Sequence, residues 1–213
     1  MRSCTPMRPA RGSLPYVPAF DGLRGVAVAA VLVFHGGFAW ASGGFLGVST
    51  FFTLSGFLIT SLLLAEHEAD GRVSLRQFWG RRFRRLWPAS VVTLGFVVLY
   101  AWFVAGPAER VGMRGDVVAA ALSVLNWRFV IENQGYAEIF SAPSIVQHYW
   151  SLSVEEQFYL VVPPLLALAL RRGWTLAGLA KGVGAAMAAS AVLMVVVAGG
   201  AYSDHAYYGT TTR

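Results

Sequence analysis

From Gly43 to Ala65, and again from Pro88 to Gly106, the chain carries no charged side chain. A helix needs about 20 mostly apolar residues to cross a bilayer, so each stretch is long enough to be a span. Three more stretches qualify with few ionisable groups. Gly22–Trp40 holds only Arg24 and His35, Trp150–Leu170 holds Glu155 and Glu156, and Val183–Gly200 is rich in small residues that favour close helix packing in lipid. Backbone groups in lipid must be satisfied within the chain, and spans of this length are helices. The expected fold is therefore all-α, a polytopic transmembrane bundle with about five to six spans in 213 residues. The sixth is the ambiguous segment Asp116–Ile131, whose apolar run Val117–Leu125 is short for a span and suits an interfacial or partly inserted helix. Pro88 is expected at the first turn of its span, where a missing N–H costs nothing.

Charge placement excludes the obvious alternative. A net charge of +6 is compatible with nucleic-acid binding, but only 13% of residues are charged, about half the share of a soluble domain. The basic residues instead cluster between spans. Arg2, Arg8 and Arg11 precede the first. Arg72, Arg76, Arg81, Arg82, Arg84 and Arg85 separate the second and third, and Arg171, Arg172 and Lys181 separate the fourth and fifth. If Asp116–Ile131 does not cross, these clusters and Arg24 lie on one side, which the positive-inside rule makes cytoplasmic. Residues 1–19 then form a cytoplasmic basic tail, and 20–213 a membrane domain. The single cysteine, Cys4, permits no internal disulfide. Signal-peptide cleavage is not needed when later spans let the first act as an anchor. The last residues, Tyr207–Arg213, do not read as a domain end, and truncation is expected.

Four stretches can carry chemistry. Arg24 and His35 are eleven positions apart, which on a helix is three turns plus about 20°, so they share a face about 16 Å apart along the axis, with His35 the deeper of the two. Ionisable groups within a span are costly and commonly functional, although a neutral histidine satisfied by its own helix is the plain alternative. Glu155 and Glu156 point about 100° apart and cannot face one partner. The two readings are a polar interior and a water boundary where the helix dipole favours carboxylates. Arg81, Arg82, Arg84 and Arg85 exceed what topology requires. Guanidinium forks suit phosphate, whereas an ordinary loop on anionic lipid is the competing view. Gly43, Gly44, Gly47 and Gly56 are read mainly as packing residues.

Taken in order, these stretches resemble acyltransferase family 3 of membrane O-acyltransferases from Phe20 to about Arg213. Arg24 with His35 is similar to the family's first-helix motif, Gly43–Ile59 to its second, and the arginine cluster and Trp150–Tyr159 to two more. Ser49 departs from the pattern, which commonly has an aspartate there. The resemblance implies transfer of an acyl group, acetyl foremost, from acyl-CoA on the cytoplasmic side to a hydroxyl of a cell-surface or exported carbohydrate or a lipid-linked acceptor. It implies no metal and no permanently bound cofactor, with acyl-CoA as a co-substrate. Arg24, Arg81, Arg82, Arg84 and Arg85 would hold the phosphates. His35 would be the general base or a transient acyl carrier, with Glu155 orienting it. The family has about ten spans, so this chain alone is expected to be inactive. A proton-coupled transporter is the runner-up, since a membrane histidine and glutamate serve that purpose too.

Overall fold

A computed structural model describes residues 15–132, 144–198 and 208–210. Among them there is no strand, and five helices are long and apolar enough to cross a membrane, so the chain is an all-α, multi-pass membrane protein. It divides into two compact units. One comprises the chain up to Ser74 with Pro163–Gly173, the other Leu75–Val162 with Trp174 onward.

In the first unit, α1 (Pro18–His35) begins with a first-turn proline and ends at Gly36, whose N–H returns to Leu32 O at 2.9 Å. The helix therefore stops five residues short of Trp40, and His35 is its last residue. Gly37 follows with φ 73°, and a 3₁₀ stretch (Ala39–Phe45) leads into α2 (Leu46–Asp70). α1 packs against the 3₁₀ stretch and α2 through small residues. A Cβ on Gly44 would collide with Ala30 O, and one on Gly47 would lie 2.5 Å from Ala27 O. Phe20 meets Phe57 at 5.5 Å between ring centroids near the other end of the pair. Gly71, with φ 66°, closes α2, and Glu66 Oε1 accepts the Ser74 N–H at 2.7 Å.

In the second unit, α3 (Leu75–Phe103) corrects two expectations. The arginine cluster is helical, not a loop, and Pro88 lies inside the helix, not at its start. Arginine and leucine are good helix formers, so the segment before Pro88 stays helical even though the ring removes the N–H that would bond Arg84 O. At 1.5 Å per residue, 29 residues span roughly 43 Å, more than the ~30 Å hydrocarbon layer. The surplus is the arginine-bearing first third.

The ambiguous segment is two helices, α4 (Pro107–Ala121) and α5 (Leu125–Ile131), neither among the five membrane-length helices. α4 doubles back along α3. Its start is tied to the end of α3 by Tyr100 Oη, which donates to Glu109 Oε1 (3.4 Å), and by Arg110 Nε, which donates to Ala105 O (2.9 Å). α6 (Tyr149–Arg171), with Pro163 and Pro164 inside, gives its part up to Val162 to this unit. That part is antiparallel to α3: Tyr149 Oη donates to Ser90 O at 3.2 Å, and ten residues on, Tyr159 O accepts from Trp79 Nε1 at 2.9 Å. α7 (Leu176–Ala198) is the last of the long helices among the described residues. The basic tail up to position 14 lies outside the described residues.

Candidate active site

Arg24 and His35 both stand on α1 in the first unit. Arg24 is half-buried and paired with Asp21 at 3.6 Å, one turn back. His35 is exposed and is the last residue of α1, eleven positions beyond Arg24, because the Gly36–Gly37 turn ends the helix there. Its Nδ1 lies 2.8 Å from Val31 O. A carbonyl only accepts, so Nδ1 carries the proton and, in the neutral ring, Nε2 carries the lone pair. The tautomer is thus set by the helix itself.

The arginines, Glu155 and Glu156 belong to the second unit. Arg81, Arg84 and Arg85 are exposed, while Arg82 turns inward. Its guanidinium lies 4.9 Å from the Tyr159 ring centroid and 5.7 Å from that of Phe78, within cation–π range. It borders a groove of about 310 Å³ lined by Trp79, Phe83, Leu86 and Trp87 of α3, Ala121 and Ser123 after α4, and Glu156, Tyr159 and Leu160 of α6. Residues 156, 159 and 160 share one helical face. The two acids have separate partners, as their 100° offset requires. Glu155 accepts from Tyr159 Oη, whereas Glu156 accepts from Ser123 Oγ and faces the groove.

Behind the groove lies a polar network that local sequence reasoning missed. Asn126 is fully buried. Its Nδ2 donates to Tyr208 O (3.1 Å) and Thr210 Oγ1 (2.9 Å), and its Oδ1 accepts from Gln157 Nε2 (2.9 Å). The same Gln157 nitrogen donates to Ser123 O at 2.7 Å, and Trp127 Nε1 donates to Gln157 Oε1 at 3.1 Å. Tyr208, also buried, packs edge-on against Phe129 and Trp150. Nearby, buried Asp116 accepts from Arg128 Nε (2.8 Å) and Ser144 Oγ (2.6 Å). The available sequence signal was an aspartate and an asparagine flanking an apolar run, which neither a lipid-facing nor a plain packing helix needs.

A family profile described as an acyltransferase domain matches residues 17–212. The chain belongs to acyltransferase family 3. Family members with similar sequence include a peptidoglycan O-acetyltransferase of Listeria monocytogenes, 44% identical over 97% of this chain and 33% of its own length. A putative peptidoglycan O-acetyltransferase of Bacillus subtilis is 40% identical over 93% of this chain and 31% of its own. A putative O-acetyltransferase of Staphylococcus aureus is 37% identical over 93% and 33%. The chain thus spans about a third of the length of these family relatives. No solved structure matches it.

Proposed function

We propose that the protein is a membrane O-acyltransferase that moves an acetyl group from acyl-CoA to a hydroxyl of peptidoglycan. The observation that carries this is the similarity to the Listeria peptidoglycan O-acetyltransferase along 97% of the chain. The layout of ionisable groups supports it. With the basic clusters cytoplasmic, the first third of α3 presents Arg81, Arg82, Arg84 and Arg85 on the side where acyl-CoA is found, and guanidinium groups suit its phosphates. By the same charge rule Arg24, in the first half of α1, is also on the cytoplasmic side. His35 ends α1 on the opposite side, where a cell-wall acceptor lies.

In the reaction, His35 Nε2 takes the proton of the acceptor hydroxyl. The oxygen attacks the thioester carbonyl, the carbon–sulfur bond breaks, and the departing thiolate takes up a proton. Holding Nδ1–H on Val31 O keeps the basic nitrogen pointing away from the helix.

The test is to express the full-length gene product, with any segments beyond these 213 residues, in a bacterium that lacks peptidoglycan O-acetylation and to measure alkali-releasable acetate on purified peptidoglycan. Acetate that appears with the wild type and not with His35→Ala is the expected result. Absence of acetate with well-inserted wild type would refute the reading.

A further inference from the structure

α4 ends in a Schellman turn. The Val124 N–H bonds Ala119 O at 2.9 Å and the Ser123 N–H bonds Ala120 O at 3.1 Å. The residue at the left-handed position of this turn is glycine in most helices that end this way, because a side chain there is strained. Here it is Ser123, with φ 58°, which no other described non-glycine residue matches in sign. A serine that accepts this conformation forgoes backbone stability, so its hydroxyl calls for a use. That hydroxyl donates to Glu156, the acid that faces the aromatic groove. Its carbonyl is clamped by Gln157 Nε2 at 2.7 Å, and Gln157 is itself tied to buried Asn126 at 2.9 Å. The turn is thus fixed from behind while its side chain points at Glu156.

We propose that Ser123 is a positioning residue that holds the Glu156 carboxylate toward the ligand of this groove. The walls indicate the class of ligand. Trp79, Phe83, Trp87 and Leu160 suit an apolar arm, and Glu156, an acceptor only when ionised, suits an N–H or O–H donor on that arm. The proposal rests on the acyl-transfer reading, since transfer is what reports occupancy of the groove.

Ser123→Gly separates the two roles a serine can have at this position. Glycine relieves the left-handed strain and keeps the carbonyl for Gln157, so the protein should melt at the same temperature or higher. It removes the donor to Glu156, and the loss of a hydrogen bond to a charged group predicts a fall of roughly tenfold to a hundredfold in transfer rate. Ser123→Asn, which tolerates the conformation and retains an N–H donor, should recover part of that rate. Glu156→Gln should lower transfer by itself, and adding Ser123→Gly to it should cause no further loss, because the serine acts through the acid. Full activity in Ser123→Gly would overturn the proposal, as would an additive loss in the double variant. An inactive full-length wild type would refute the acyl-transfer reading, and this role with it.

Discussion

Replacing Gly47 by alanine should loosen the α1–α2 pair, and the structure sets the size of the effect. The new methyl would sit 2.5 Å from Ala27 O and 2.8 Å from a Val31 methyl, where ordinary contact begins at 3.4 Å. The first obstacle is backbone, so no rotamer change removes it, and the helices have to part by most of an ångström. Overpacking of this kind costs about 1–3 kcal/mol. For a chain of this size that corresponds to a fall of roughly 2–12 °C in melting temperature. Gly95→Ala in α3 is the control, because nothing lies within 4 Å of its added methyl. The higher helix propensity of alanine should make that variant neutral or up to ~1 kcal/mol more stable. Thermal unfolding of the detergent-solubilised protein, followed by near-UV circular dichroism, measures both. If Gly47→Ala melts no lower than Gly95→Ala, close helix approach is not what glycine provides at position 47, and the packing argument is wrong.

Other expectations follow from the two units. His35→Ala and His35→Gln should each lower transfer by about 10²–10⁴, the usual worth of general-base help, with normal membrane insertion; near-normal activity in His35→Gln would make the ring a structural hydrogen-bonding group. Paired Arg81→Ala and Arg84→Ala should raise the apparent KM for acyl-CoA, and an unchanged KM would assign these side chains to lipid headgroups. Asp116→Ala should destabilise by about 1–3 kcal/mol, measured by thermal unfolding, because it strips a partner from Arg128 while the site stays buried. A cysteine at Gly80, where a side chain meets only the Arg84 guanidinium at 3.8 Å, should stay unlabelled by an impermeant thiol reagent in intact cells if α3 begins on the cytoplasmic side.

The spans were legible because a long uncharged run in lipid and a helix are one requirement. Their ends were less so. α3 starts thirteen residues before its apolar run, since arginine, leucine and tryptophan continue a helix as readily as the apolar residues do. α1 stops at His35 because paired glycines, not lost hydropathy, end it. The break between α4 and α5 carries neither glycine nor proline, so nothing local announced it. His35 was conspicuous as an ionisable group in an apolar run, and Arg82 as one of a cluster, but that Arg82 turns inward depends on Tyr159, far along the chain. Ser123, Asn126 and Gln157 acquire meaning only from partners 30 or more positions away, and no periodicity records such pairings. The two adjacent glutamates had to diverge on helical geometry alone; which one meets the groove required the neighbouring turn.

The docking of Tyr208 and Thr210 onto Asn126 also bears on how the protein is made. The amide of Asn126 finds these partners 82 and 84 residues downstream. At 5–20 residues per second, the ribosome needs roughly 4–16 s to supply them. During that interval α5 has left the ribosome with an amide whose final partners do not yet exist. Insertion factors and membrane proteases therefore meet a half-closed bundle for several seconds in every round of synthesis. Substitutions at Asn126 or Thr210 would then show first as lower abundance, before any change in the chemistry of the molecules that survive.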